Sequence, residues 1–167
     1  MTGNETDALS LDEELADFIG QGALIRLASA TPAGVPDLCF GLACFVDQDR
    51  RRLRVAFDSR QAEAVLQLAV QGGRAALVFS DPVSHRTVQI KTRDARLGGV
   101  PGSEHAEIAR RVALSNRRLD LIGFGDPFAS TLNGYEPERL VFLHCGIHAL
   151  FDQTPGPNAG KALAGAP

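Results

Sequence analysis

Short polar turns separate several of the predicted strands in this chain, and their length restricts how the strands can pair. Turn residues occupy 31–36, 47–51 and 81–82, each between two apolar segments. A parallel pair of strands needs a crossover of a dozen or more residues, whereas antiparallel neighbours can be joined by only a few. The sequence therefore predicts antiparallel pairing.

Six strands and three helices are predicted along the chain. The strands lie at 23–28, 38–46, 53–57, 75–79, 86–97 and 139–151, and the helices at 11–20, 60–72 and 103–121. The strand at 38–46 is almost wholly apolar, which is typical of a strand buried on both faces. The pattern indicates the α+β class: a six-stranded antiparallel sheet curled into a small barrel with flanking helices.

Two of the helices begin with capping signals. Ser10 and Glu13 match a capping box for the first helix, because a serine hydroxyl and a glutamate three residues later can satisfy each other's free N–H groups. Asp58 and Ser59 are candidate N-caps for the second helix.

A single domain over residues 11–153 accounts for most of the chain. Its 167 residues suit one hydrophobic core. Residues 1–10 are polar, and residues 154–167 are rich in glycine and proline. Both terminal segments are predicted to be flexible.

Charge and hydropathy exclude several classes of partner. A net charge of −3 gives no basis for generic nucleic-acid binding, and no apolar stretch approaches the roughly 20 residues of a membrane-spanning helix. The N-terminal segment is acidic where a secretory signal needs basic residues. Cys39, Cys44 and Cys145 follow no disulfide spacing, so a cytoplasmic protein with free thiols is expected.

The first candidate site is the segment Asp58-Ser59-Arg60, where a strand ends and a helix is predicted to begin. Backbone N–H groups at such a position favour a phosphate, and the Arg60 guanidinium can add two charged donors. An ordinary helix cap is the alternative interpretation.

The second candidate site is the polar face of the predicted strand that starts at Arg86. Side chains alternate between the two faces of a strand, so Thr87, Gln89 and Lys91 share one face while Val88 shares the other with Arg86. A row of this kind either binds a ligand or faces solvent.

Together these segments resemble the FMN-binding split-barrel superfamily of pyridoxamine 5′-phosphate oxidase. The stretch Ser59-Arg60-Gln61-Ala62 is similar to the oxidase pattern Ser-Arg-Lys-Ala, and Arg86-Thr87-Val88 is similar to Arg-Gln-Val. The similarity covers about residues 11–97. It implies a homodimer with FMN at the interface, and the cofactor-binding residues that it implies are Ser59, Arg60, Arg86, Thr87, Gln89 and Lys91.

The second strand departs from the oxidase pattern, which has Arg-x-Val-Leu-Leu-Lys there. Residues 39–44 are Cys-Phe-Gly-Leu-Ala-Cys and contain neither cation. Oxidation of pyridoxamine phosphate itself is therefore not expected. Three functions stay open: a flavin-dependent oxidoreductase or flavin reductase of unknown small-molecule substrate, a haem-binding split barrel, and a dimeric binding module that has lost its cofactor. No catalytic residue is assigned.

Two histidines near the C-terminus form the last constellation. On one strand His144 and His148 would share a face about 13 Å apart, which is too far for a single zinc ion with ligands near 2 Å. No metal site is predicted, and one of the two histidines is the candidate ligand if haem is bound.

Overall fold

Residues 9–165 are described by a computed structural model and contain ten strands and four α-helices. The strands are β1 (Leu24–Ala30), β2 (Pro36–Gly41), β3 (Ala43–Val46), β4 (Arg52–Asp58), β5 (Ala75–Ser80), β6 (Thr87–Thr92), β7 (Arg96–Gly99), β8 (Leu140–Gly146), β9 (Ala149–Asp152) and β10 (Ala162–Gly165). The helices are α1 (Glu13–Gly20), α2 (Glu63–Gly72), α3 (His105–Leu121) and α4 (Phe128–Leu132). Most of the predicted flexible segment 1–10 lies outside the described residues.

The strands form two sheets, in which all pairs are antiparallel. The six-stranded sheet has the order β10-β9-β6-β5-β1-β2, and the four-stranded sheet has the order β3-β4-β8-β7. The predicted α+β class and antiparallel split barrel are confirmed. The number of strands is larger than the six predicted.

Three predicted strands each divide into two, because the chain leaves one sheet and enters the other. The strand predicted at 38–46 forms β2 and β3, with Leu42 between them. The strand predicted at 86–97 forms β6 and β7, and the one predicted at 139–151 forms β8 and β9. Leu42 is buried, as is Ala43 after it, so the apolar pattern continues without a break where the chain passes from one sheet to the other.

The prediction that residues 38–46 are buried on both faces is wrong for β2. Leu38 and Phe40 are 58% and 43% exposed, whereas Cys39 between them is buried. β2 is an edge strand of the six-stranded sheet, so one of its faces packs on the core and the other points away from it. An apolar outer face is therefore left uncovered on a single chain.

The core has two parts. The larger fills the barrel between the sheets and extends under α1 and α2, and its fully buried side chains include Leu27, Leu53, Phe57, Leu77, Phe79 and Ile90. The smaller lies between the four-stranded sheet and α3, where Ile108 and Val112 pack against Phe142. Burial of each large apolar side chain contributes about 1.5–3 kcal/mol.

Both predicted N-caps are corrected. α1 begins at Glu13, and its N-cap is Asp12, whose carboxylate accepts the Leu15 N–H at 2.7 Å; Ser10 lies further upstream. α2 begins only at Glu63, and no side chain caps it. Asp58 is instead the last residue of β4, and its carboxylate accepts N–H groups of the turn that begins at Ser59 and precedes α2.

The C-terminal segment that is predicted to be flexible, residues 154–167, contains one strand. β10 lies within it and pairs with β9 at the edge of the six-stranded sheet. The Asp152 N–H donates to the Lys161 carbonyl at 2.9 Å and starts this pairing. Within residues 9–165, none of the helices is both long and apolar enough to cross a membrane.

Candidate functional site

A cationic cleft lies at one end of the six-stranded sheet, where β1 and β6 end and β5 begins. Its volume is about 420 Å³, and its polar lining residues include Ser29, Arg74, Lys91, Arg93 and His148. Ala75 pairs with Thr92 in the β5–β6 ladder. Because Arg74 precedes the first of these residues and Arg93 follows the second, antiparallel pairing brings both guanidinium-bearing residues to the same end of the sheet.

The charges in this cleft all have one sign. Arg74, Lys91 and Arg93 line it, and no aspartate or glutamate is among its lining residues, all of which lie within the described part of the chain. Ser29 donates its hydroxyl to the Arg74 carbonyl at 2.9 Å, which ties the start of β5 to the end of β1. Guanidinium groups bind phosphate and carboxylate through paired N–H donors. The arrangement suits an anion.

His148 lines the same cleft and has one ring nitrogen without a hydrogen-bond partner within residues 9–165. It lies between β8 and β9, and its backbone N–H donates to the Lys91 carbonyl at 2.9 Å. Its ring atom Nε2 is buried and has no hydrogen-bond partner within residues 9–165. A buried polar atom without a partner costs about 1–3 kcal/mol. An unsatisfied buried nitrogen on a residue that lines the cleft makes His148 a candidate binding residue.

The predicted alternation of β6 is confirmed. Val88 and Ile90 are buried, whereas Thr87, Gln89 and Lys91 are partly exposed on the opposite face. The Lys91 ammonium lies 4.7 Å from the centre of the Phe151 ring on β9. Three of the six predicted cofactor-binding residues therefore share one face, and one of them, Lys91, lies in the cationic cleft.

Arg86 is not brought to this face. Its guanidinium forms a 2.8 Å ion pair with Glu14 and lies 4.7 Å from the centre of the Phe18 ring, both on α1. It lines a separate cleft of about 510 Å³ between α1 and the edge of the six-stranded sheet. These contacts hold the first helix against the barrel.

Ser59 and Arg60 lie in a third cleft, of about 340 Å³, beside Glu63. The backbone donors expected to hold a phosphate there are already used. The Arg60 and Gln61 N–H groups donate to Asp58 Oδ1 at 3.0 and 3.2 Å, and the Ser59 N–H donates to the carbonyl of Arg139. The guanidinium of Arg60 is left as the group in this cleft that suits an anion.

The two histidines lie apart on different elements. His144 is on β8, directly opposite Arg54 on β4 and Arg96 on β7. Burial, and then the charge of Arg54, lowers the pKa of the His144 imidazole below its ordinary value. His148 follows the end of β8, so the shared strand face expected for the pair does not form. Residues 9–165 contain no group of three or more histidine, cysteine or acidic side chains placed to hold a metal ion.

Sequence reasoning did not place Arg74 and Arg93 in a site, and it named His148 only as a candidate haem ligand. A usable signal was present: Arg74 directly precedes a predicted strand, and Arg93 interrupts the next one. Two strands joined by a short turn bring the start of the first beside the end of the second.

Comparison with known proteins identifies the fold. No protein-family model and no curated protein matches the sequence. A structure from Lactobacillus delbrueckii, described as a candidate pyridoxamine 5′-phosphate oxidase, has a TM-score of 0.51 at 17% identity over 85% of this chain and 93% of that chain. HupZ of Group A Streptococcus has a TM-score of 0.53 at 12% identity over 90% of this chain and 99% of that chain. The chain thus shares the fold of these two structures, the antiparallel split barrel that its sequence predicts.

Proposed function

We propose that this chain binds FMN through the cationic cleft and acts as a flavin-dependent oxidoreductase or flavin reductase. The observation that carries the proposal is the charge of the cleft: Arg74, Lys91 and Arg93 line it without a carboxylate. A phosphate monoester carries between one and two negative charges at neutral pH. The cleft fits that group better than the Arg60 cleft, where Asp58 occupies the backbone donors.

The outer face of β6 extends this site. Thr87, Gln89 and Lys91 follow one another on that face, and four residues of strand span about 13 Å. Arg74 and Arg93 hold the phosphate in this proposal, while the Gln89 amide offers a donor, and the Thr87 hydroxyl oxygen an acceptor, to the polar edge of the ring. FMN, when bound, supplies the electron or hydride transfer, and the protein orients it.

Haem is the second candidate, and His148 is the reason. His148 lines the same cleft, and its buried Nε2 has no partner within the described chain. An imidazole nitrogen is a common axial ligand of haem iron, and guanidinium groups pair with carboxylates such as the propionates. Both cofactors are flat and anionic, so the same cleft could suit either. Titration with each of them is needed to distinguish the two candidates.

The test is titration of the purified protein with FMN, riboflavin and haemin, followed by absorbance and flavin fluorescence. FMN should bind more tightly than riboflavin, which lacks the phosphate. Arg93→Gln should weaken FMN binding about ten- to a hundredfold, since a hydrogen bond between charged groups contributes roughly 1.5–3 kcal/mol, and should leave riboflavin binding unchanged.

Arg110→Gln is the matched control, because Arg110 forms an exposed ion pair with Glu107 on α3. Equal affinities for FMN and riboflavin would reject the phosphate site. A haem Soret band that His148→Gln removes would select the second candidate, and no binding of either cofactor would favour the dimeric binding module.

A homodimer is part of the proposal. The outer face of β2 exposes Leu38 and Phe40, and β2 is the edge of its sheet. A symmetric pair covers the same patch on both copies with one interface.

A cytoplasmic location is also proposed, and it is supported by three cysteines that form no disulfide.

A further inference from the structure

We propose that the apolar segment after α3 docks on the outer face of β2 of a second copy of this chain, and that the two copies make this contact reciprocally. The segment, called the loop patch below, presents four exposed apolar side chains: Leu121, Ile122, Phe124 and Phe128. The β2 face presents Leu38 and Phe40. The inference rests on the proposed function only in taking the protein as a homodimer, and it adds which surfaces meet.

The loop patch is the densest group of exposed apolar side chains in the part of the chain that the structure describes. Leu121 is 75% exposed, and Phe124 and Phe128 are 51% and 48% exposed. Single exposed apolar residues are common on soluble proteins, whereas a contiguous group marks a contact surface. None of the three clefts described above is lined by these residues. The proposed cofactor site therefore leaves the loop patch without a role.

The loop patch is held in one shape by the end of α3. Gly123 has a φ of 89°, which favours glycine, and its N–H donates to the Asp120 carbonyl at 2.9 Å. The Phe124 N–H donates to the Leu119 carbonyl at the same distance, which completes a common helix-ending motif. The rings of Phe124 and Phe128 pack together with their centres 5.2 Å apart. Because the segment is ordered before it binds, docking costs little conformational entropy.

The two surfaces carry opposite charges that are not used within the chain. The Arg26 guanidinium lies 5.2 Å from the centre of the Phe40 ring and forms no ion pair within residues 9–165. Asp120 and Asp126 are exposed beside the loop patch, and neither forms an ion pair within the same residues. Both aspartates line a small cleft with Arg117, its one cationic lining residue in the described chain. The loop patch thus has a net negative border.

Charge favours this pairing over two alternatives. A dimer that joined two β2 faces would place Arg26 of both copies in the same interface, and a dimer that joined two loop patches would place four aspartates there. Like charges in one interface repel each other. Docking of the loop patch on β2 instead brings Asp120 and Asp126 to Arg26 of the partner subunit. A two-fold axis makes this contact twice and covers both apolar surfaces of each copy.

Both surfaces lie toward the end of the six-stranded sheet where β1 begins. Arg118, in the last turn of α3, donates to the Gln21 carbonyl at 3.1 Å, just before β1. Phe40 pairs with Arg26, the third residue of β1. The end of α3 and the exposed ring on β2 are therefore on the same side of the fold, so that one two-fold interface includes both.

The first test is chemical cross-linking through introduced cysteines. Leu38→Cys and Phe128→Cys chains are co-expressed with different affinity tags and purified as the mixed dimer. A short bismaleimide reagent should join them into a species of about twice 17.8 kDa. Each variant alone should give no such species, and neither should the wild type, whose three cysteines are buried. Cross-linking of Leu38→Cys to itself would indicate a dimer of two β2 faces and overturn the inference.

Charge reversal gives a second test that leaves both apolar surfaces intact. Asp120 is reversed rather than Asp126, because Asp126 also accepts the Ser130 N–H in α4. Arg26→Glu and Asp120→Arg should each raise the dimer dissociation constant at least about tenfold in analytical ultracentrifugation. The double variant should return to within about threefold of the wild type, since opposite charges meet again. Arg51→Glu, which reverses an exposed cation on the turn before β4, is the matched control and should leave the constant unchanged.

The outcomes separate this inference from the proposed homodimer. A wild-type protein that is monomeric at micromolar concentration removes the homodimer and this inference with it, and the cofactor titrations still decide the rest of the proposed function. A wild-type dimer whose mixed pair does not cross-link overturns the inference and leaves the homodimer standing. The same holds if the double charge variant dimerises as weakly as the single variants.

Discussion

The carboxylate of Asp94 accepts a 2.9 Å hydrogen bond from the guanidinium of Arg52, 42 residues earlier in the chain. The same carboxylate accepts the Gly146 N–H at 2.6 Å and the Thr92 hydroxyl at 3.0 Å. These partners belong to β4, β8 and β6. One side chain therefore ties both sheets together at the corner between β6 and β7.

Asp94→Asn should lower the free energy of unfolding by about 1–2 kcal/mol at pH 7, because the partly exposed amide keeps the geometry but loses the charge.

Burial alone raises the pKa of Asp94, but hydrogen bonds from Gly146, Arg52 and Thr92 outweigh it and lower that pKa. The stability is present above the unfolded-state pKa of about 3.9 and is lost as pH falls through the lower folded-state pKa. Urea unfolding from pH 7 down to acid measures both effects. The exposed Asp17→Asn is the control, and an equal loss there would contradict the assignment.

Gly41→Ala should destabilise the barrel by about 1–3 kcal/mol through overpacking. A Cβ at Gly41 would lie 2.8 Å from Cγ2 of Ile25 and 3.2 Å from Cε1 of Phe57, both in the core. Gly99→Ala is the matched control, since nothing lies within 4 Å of its Cβ position. Thermal unfolding of the two variants compares them, and similar midpoints would show that the barrel corner is not tightly packed.

Phe40→Glu should convert the proposed homodimer into a monomer. Phe40 lies on the uncovered outer face of β2, and a glutamate there places a charge in an apolar interface. Light scattering should give about twice the 17.8 kDa of one chain for the wild type and 17.8 kDa for the variant. Val83→Glu alters an equally exposed side chain on a turn and should stay dimeric. A wild-type mass of one chain would reject the dimer itself.

Arg60→Ala should change FMN affinity less than twofold, although the sequence resemblance places Arg60 on the phosphate. Asp58 holds the N–H groups of this turn, and its carboxylate repels an anion. Arg93→Gln, measured in the same titration, should show the larger loss. If Arg60→Ala has the greater effect, the phosphate lies in the Arg60 cleft and the cationic cleft serves another ligand.

The three thiols should be unreactive in the folded protein. Burial, then the charge of Asp37, raises the pKa of Cys39 to about 12, and burial, then Asp94, raises that of Cys145 to about 12. Burial also raises the pKa of Cys44 well above its ordinary value. Ellman's reagent at pH 8 should therefore modify all three thiols in urea but none quickly in native buffer. A fast reaction of any thiol with the reagent in native buffer would show that local unfolding exposes the strand that carries it.

The buried face of β6 could be predicted because alternation depends only on backbone geometry. Val88 and Ile90 point inward wherever the strand lies. The corners between the sheets could not be predicted in this way. Leu42 is apolar and buried like its neighbours, so nothing in the hydropathy pattern marks the place where β2 gives way to β3.

The cationic cleft was harder to predict than the fold. Lys91 belongs to a recognisable motif, but Arg74, Arg93 and His148 meet only because three strand ends and a connecting segment converge. The prediction that Arg60 binds a phosphate requires free backbone N–H groups beside it. The rotamer of Asp58 decides whether its carboxylate accepts hydrogen bonds from those N–H groups, and the amino-acid sequence does not reveal that rotamer.

The chain crosses directly from one sheet to the other at three places, and these crossings affect which parts of the fold can unfold locally. β6 continues into β7, which pairs with β8; β8 continues into β9, which pairs again with β6. These four strands form a closed circuit, so none can detach while the other three stay in place. Amide hydrogens around this circuit should exchange with solvent only in a collective opening, whereas those of β2 and β10 at the sheet edges exchange early. The cleft contains the end of β6, so a ligand bound there would slow exchange far from its own contacts.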